Sequence, residues 1–98
     1  MQCQEFAIAP DVSLLAHRDA YRLSKHVLRM GRARTIIIDF STVEDVTTSA
    51  FARLVLLRRE LRRRGRDLRL TGLRARAARQ YELNRLDAVL PMLSMTAA

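Results

Sequence analysis

An α/β domain is what this chain predicts, with a mixed sheet of about four to five short strands flanked by about four helices. Three observations predict it. Thr35-Ile36-Ile37-Ile38-Asp39-Phe40 is a continuous, largely β-branched run of the kind found in a strand covered on both faces. From Thr48 to Arg64, Phe51, Leu54, Val55, Leu57 and Leu61 form an apolar arc at helical spacing, and Gly65 follows as a terminator. Asp67 to Thr71 reads as the next strand, so strand, helix and strand follow in the order of a right-handed parallel crossover.

The remaining elements fall around this unit. Gln4 to Ala9 alternates weakly, with Phe6 and Ile8 on one face, and Pro10-Asp11 is a turn signal before a second short strand at Val12 to Leu15. Asp19 to Met30 spaces Ala20, Leu23, Val27 and Met30 three to four residues apart, which predicts a helix with Gly31 as its C-terminal cap. Ala75 to Leu83 reads as a third helix and Asn84 to Leu86 as a break. Asp87 to Leu90 reads as a short strand or turn, and Pro91 onward as a terminal helix or frayed end. At 98 residues, 49% of them apolar, the chain has material for one core, so residues 1–98 are read as a single domain.

Composition narrows the setting. Cys3 is the one cysteine; it has no internal disulfide partner and no second thiol with which to share a metal, and it is given no role. No apolar run approaches the ~20 residues needed to span a bilayer, and MQCQEF lacks the basic-then-apolar order of a signal peptide. A cytoplasmic protein is expected.

The net charge of +8 is unevenly placed. Residues 1–52 hold six basic and six acidic groups, whereas residues 53–98 hold twelve arginines against four acids. The densest part, Arg58 to Arg66, could attract nucleic acid, anionic lipid or an acidic protein surface. A solvated helix end is the stronger reading. Cations in a last turn favour the helix dipole, and long arginine stems cover apolar surface. The few aromatics sit mostly in apolar patterns, so stacking platforms for single strands are absent and nucleic acid is not the expected partner.

Enzymatic motifs are missing: there is no GxGxxG, Walker or HExxH pattern and no Cys/His cluster with ligand spacing. His17 and His26 read as solvated or partly buried imidazoles. Asp39, Glu44 and Asp45, near the end of the central strand, read as residues that solvate and shape a loop. The protein is expected not to be an enzyme and to need neither cofactor nor metal.

What remains is the hydroxyl-rich corner Thr47-Thr48-Ser49, where the central strand's loop meets the long helix. Such a cluster serves as an N-cap, and the helix N-terminus behind it tolerates phosphate. Along the wheel from Thr48, Ala52, Val55, Leu56 and Arg59 share one flank and extend the corner into a docking stripe; Leu56 points away from the centre of the apolar arc. Arg64 lies roughly 24 Å from Thr48 along the helix axis. A ligand of the arginines is therefore expected to be distinct from a partner at the corner.

An apolar strand ending in Asp39-Phe40, a seven-residue loop, Thr48-Ser49, a small residue and an apolar helix closing at Gly65 together resemble the STAS domain. That family covers the anti-sigma factor antagonists and the cytoplasmic domains of sulfate transporters. The likeness covers most of the chain: GRDLRLTGL resembles the family's strand after the long helix, and AARQYELNRLDAVL its next helix and leucine-rich segment. The family's Asp-Ser-Ser-Gly-hydrophobic-Gly signature falls on Thr47, Thr48, Ser49, Ala50, Phe51 and Ala52, with Thr48 at the phosphorylated hydroxyl. Thr47 replaces the family's Asp, alanine replaces both glycines, and Ser13-Leu14-Leu15-Ala16 lacks the Asp of an earlier family motif.

The resemblance implies a protein-interaction module: an anti-sigma factor antagonist that binds an anti-sigma factor or kinase-like ATPase through Thr47, Thr48, Ser49, Ala52 and Leu56, switched by phosphorylation of Thr48. The alternative it implies is a STAS subunit bound to the cytoplasmic ATPase of a lipid-transport ABC system. A basic nucleic-acid or anionic-membrane binder ranks third, and a homodimer is one option for assembly.

Overall fold

The computed structural model describes residues 5–31 and 33–93. Cys3, the Gln4 start of the first expected strand and the last residues of the terminal segment lie outside them. In chain order the elements are β1 (Glu5–Ile8), β2 (Leu14–Leu15), α1 (His17–Arg29), β3 (Thr35–Asp39), β4 (Asp45–Val46), α2 (Thr48–Arg63), β5 (Asp67–Thr71), α3 (Ala75–Leu83) and a 3-10 turn at Leu86–Ala88. The fold class is the expected α/β arrangement of short strands and helices. Within it every ladder among the described residues is parallel, and the strands divide into a sheet ordered β1-β3-β5 and a separate pair, β2-β4.

β3 is central because it can bond along both edges. Ile36 and Ile38 register with Phe6 and Ile8 on one side and with Leu68 and Leu70 on the other. On this face Ile36, Ile38, Leu68 and Leu70 are fully buried against Val27 of α1 and Phe51, Leu54, Leu57 and Leu61 of α2. Each such side chain contributes about 1.5–3 kcal/mol through apolar surface removed from water.

The expected burial of β3 on both faces is only partly met. Ile37 is buried but lies outside the main core. Its cross-strand neighbours are Ala7 and Arg69, and the same face carries the half-buried Asp39, Asp67 and Thr71. A run of isoleucines reads alike for one covered face or two; the alternating burial along β5 shows that the helices cover one.

Helix ends follow local chemistry. α1 begins two residues before the expected Asp19, because the Asp19 carboxylate sits in the first turn and accepts the Ala16 N–H at 3.0 Å. Its C-cap is Met30 rather than Gly31: the Met30 N–H reaches the carbonyls of His26 and Val27, and Gly31 has no left-handed backbone. Gly65, by contrast, has φ +75° just past the α2 cap at Arg64, and the Arg66 N–H returns to the Leu61 carbonyl at 2.9 Å. α3 is bracketed by two left-handed non-glycine residues, Ala75 (φ 53°) and Arg85 (φ 49°).

After the 3-10 turn, the segment expected to be helical or frayed at Pro91 instead lies beside β5. Leu70 donates to the Pro91 carbonyl at 3.2 Å, accepts from the Leu93 N–H at 2.7 Å and bridges Met92 in parallel. The outer edge of β5 needs partners for its backbone groups. Proline can open such a run because only its carbonyl is used.

Most of the arginine-rich stretch, expected as a solvated helix end, is instead engaged by other parts of the fold. Asp67 accepts from Arg58 Nε at 2.7 Å, from the Leu68 N–H at 2.8 Å and from Arg69 Nε at 3.2 Å, with Arg62 at 3.8 Å. Arg58 also donates to the Val89 carbonyl, and Arg66 donates to the carbonyls of Ala33 and Met30. Arg63 and Arg64 pair with Glu60.

Partial burial works to raise the Asp67 carboxyl pKa, but the hydrogen bonds from Arg58 and Leu68 and the charges of Arg58 and Arg69 hold it below the usual carboxylate range. A depressed native pKa contributes stability that is fully present above the unfolded value of about 3.9 and is lost as pH falls through the native value. Asp67→Asn is therefore expected to cost about 2 kcal/mol in urea unfolding at neutral pH. The difference from the wild type should shrink near pH 3. Gly72→Ala tests the turn after β5: φ is +75°, and an added Cβ would stand 2.7 Å from Asp39 Oδ1 and 3.0 Å from the Ser41 N. A loss of about 1–3 kcal/mol is expected, read as a lowered urea midpoint.

Candidate functional site

The corner forms where the short β2-β4 pair hands the chain to α2. Ser13 O accepts the N–H groups of both Glu44 and Asp45, at 2.8 and 3.1 Å, and Leu15 O accepts that of Thr47 at 3.0 Å. Behind it, Ala77 in the first turn of α3 donates to the Glu44 carbonyl at 3.1 Å. The start of α2 is thus held by backbone from two sides.

The hydroxyls at the corner have different duties. Thr47 is the N-cap, with extended backbone, and its Oγ1 accepts the Ala50 N–H at 3.0 Å. Ser49 Oγ stands 3.3 Å from Thr47 Oγ1. Thr48 is exposed, and among the described residues its hydroxyl has no hydrogen-bond partner. Capping belongs to Thr47 and leaves Thr48 uncommitted. The first turn of α2 carries no acidic side chain, so its N-terminal dipole is not offset by a carboxylate there.

Two concavities flank this point. Thr47 and Ser49 join Ala16, His17, Arg18 and Asp19, from the start of α1, around one of about 650 Å³. Thr48, Ala52 and Leu56 line another, a groove of about 410 Å³ completed by Phe51, Val55, Asn84 and Leu86. The anticipated stripe is a physical surface: Ala52 and Arg59 are exposed, and Leu56 is 47% exposed while Phe51, Leu54 and Leu57 beside it are buried. Leu83 at 69% and Val89 at 42% add exposed apolar surface within the segment that follows α3's middle turn.

Sequence reasoning missed the walls. Asn84 to Leu86 reads as a break in the sequence, and that break is what places Leu86 against the groove. Apolar spacing starts α1 at Asp19 and gives His17 and Arg18 no place at the corner; the helix starts earlier, and this carries them there. His17 also stacks on Tyr21 at 6.4 Å. Asp39 and Asp45 shape loops, as expected: Asp39 accepts the Ser41 N–H at 2.9 Å and Asp45 that of Val46 at 2.9 Å. Among the described residues no group of three His, Cys, Asp or Glu side chains could hold a metal. No helix among them is long and apolar enough to cross a membrane.

One uncommitted hydroxyl, that of Thr48, thus stands at the head of the longest helix beside an apolar groove. The family model of the STAS domain matches residues 9–97, nearly the whole chain, and the chain belongs to the STAS family. STAS domains are typically non-catalytic binding modules, which fits that surface. No match was found among curated proteins.

The separation of duties is testable by unfolding. Thr47→Ala should lower stability by about 1 kcal/mol, whereas Thr48→Ala should change it by less than about 0.5 kcal/mol. The reverse order would make Thr48 the structural cap.

Proposed function

We propose that this STAS domain is an anti-sigma factor antagonist that binds a kinase-like anti-sigma factor in the cytoplasm of a bacterium through Thr47, Thr48, Ser49, Ala52 and Leu56, and that phosphorylation of Thr48 releases it. The observation that carries this reading is the exposed Thr48 hydroxyl on the rim of an apolar groove, relieved of capping by Thr47. A phosphate there would lie at a helix N-terminus with no carboxylate in the first turn to repel it. The same charge would stand beside Ala52 and Leu56, where a docked apolar surface would lose water-excluding contact. One modification then accounts for both tolerance by the domain and rejection of the partner.

A second reading is favoured by the corner's own chemistry. Thr47 stands where the resemblance would place an Asp before the acceptor, and it is fully occupied as a cap. A STAS subunit bound to the ATPase of a lipid-transport ABC system would use the same groove without any kinase. Binding of nucleic acid or anionic membrane by Arg58 to Arg66 is less supported, because Arg58, Arg62 and Arg69 converge on Asp67 and Arg66 serves backbone carbonyls.

The test is affinity capture from lysate of the source cell with wild type, Thr48→Ala and Thr48→Glu side by side, the bound proteins being identified by mass spectrometry. A kinase-like anti-sigma factor held by wild type and Thr48→Ala, and reduced about tenfold or more by Thr48→Glu, is the expected result. An ABC ATPase would favour the second reading, and nucleic acid or nothing would leave the corner a helix start.

A further inference from the structure

The other flank of α2 carries a second groove, of about 420 Å³, between α1 and α2. It is lined by Ser24 and Leu28 from α1 and by Arg53, Leu56, Leu57, Arg59, Glu60 and Arg63 from α2. Three guanidinium groups share this space with one carboxylate. Leu56 belongs to both grooves, so it is the ridge between the apolar surface at the corner and a cationic one beside it.

Two of them, Arg53 and Arg59, differ from the arginines consumed by the fold. Arg53 Nε is buried and is the one buried side-chain polar atom without a hydrogen-bond partner among the described residues. Its guanidinium stands 5.2 Å from the Tyr21 ring, which Lys25 also approaches at 5.3 Å. An aromatic face attracts a cation but does not neutralise it, and two cations share this ring. Arg59 is exposed and makes no ion pair or hydrogen bond among the described residues. Arg63 meets Glu60 at 3.4 Å, but its side chain is 74% exposed and the pair is weak. A buried donor without an acceptor is costly, and a carboxylate entering the groove would supply charge-assisted bonds where solvent competes least.

We propose that the α1/α2 groove is the second half of the partner interface and takes an acidic segment of the protein that docks at the corner, with aspartate or glutamate side chains flanking an apolar residue that covers Leu56. The inference rests on the reading of the corner as a protein-docking site. The occupant follows from the lining. Leu28, Leu56 and Leu57 give the groove apolar walls, which suit a polypeptide. Glu60 in its lining opposes a continuous phosphate backbone, whereas discrete carboxylates can be spaced around it. The proposal departs from the expectation that a ligand of the arginines is distinct from the corner's partner: that expectation rests on Arg64, far along the helix, whereas Arg53 and Arg59 stand within a turn of Leu56.

The probe is a short amphipathic peptide of glutamate, leucine and alanine with blocked ends, titrated into the isotope-labelled full chain and followed through backbone amide and arginine Nε–H resonances. The expected result is movement at Ser24, Arg53 and Arg59, and a Kd raised about tenfold or more by R53Q/R59Q but less than about twofold by R22Q/R79Q, which removes equal charge outside the groove. Urea midpoints recorded on both variants separate lost binding from lost folding, and R53K/R59K, which keeps the charge, should recover part of the affinity. Binding unchanged in R53Q/R59Q at an intact fold overturns the proposal. So does a single-stranded oligonucleotide that moves the same arginine resonances at lower concentration than the peptide. Thr48→Glu in the same titration keeps the two ideas apart: affinity that depends on Arg53 and Arg59 but ignores position 48 upholds the groove even where capture at the corner has failed.

Discussion

β3 bonds along both of its edges, and the corner is reached only through elements hung from it. Parallel ladders to β1 and β5 leave Ile36 and Ile38 facing a layer built by α1 and α2, so the long helix has one place to lie. Parallel strands cannot be joined by tight turns, which obliges the chain to cross over between β3 and β5, and α2 is that crossover. Its first residue is then set by where the loop after β3 comes back down. Phe40 donates to the Thr71 carbonyl at 2.8 Å and Val43 to that of Phe40 at 2.9 Å, so the loop leaves the sheet along a bonded path. The position of Thr48 is a consequence of sheet geometry well before it is a matter of hydroxyl chemistry.

The same helix sorts its arginines by face. Arg58 and Arg62 meet Asp67 at the start of β5. Arg53, Arg59 and Arg63, interleaved with them along the helix, line the side toward α1, where Tyr21, Ser24 and Leu28 offer no carboxylate. A single surplus of positive charge in the sequence is therefore two populations in the fold, one internally satisfied and one turned toward a groove.

Much of this was legible in the residues themselves. The β-branched run at Thr35, the arc from Phe51 to Leu61 and the span Ala75 to Leu83 each combine a clear period with a local stop, and their elements fall where the period puts them. The helix start was legible too: hydroxyl residues before an apolar helix supply an N-cap, and Thr47 does so. What resisted reading was set by distant partners. The solvent side of β3 depends on Ala7 and Arg69, which isoleucine spacing does not report. The early start of α1 depends on one carboxylate reaching back to Ala16. The groove walls Asn84 and Leu86 come from a stretch with no period at all, positioned by a left-handed Arg85 and by the return of Pro91 to β5. The cationic groove needed the packing of α1 on α2, which neither helix encodes alone.

The β2-β4 pair shares no ladder with the main sheet, and each of its strands is two residues long. The cap residue Thr47, whose N–H is held by the Leu15 carbonyl, is thus mounted on a small bracket of its own, while Thr48, Ser49, Ala52 and Leu56 ride on α2. A change at Thr47 therefore meets this bracket first and reaches the ladders around β3 only through α2, so the fastening of the helix start and the cohesion of the central sheet can be loosened separately.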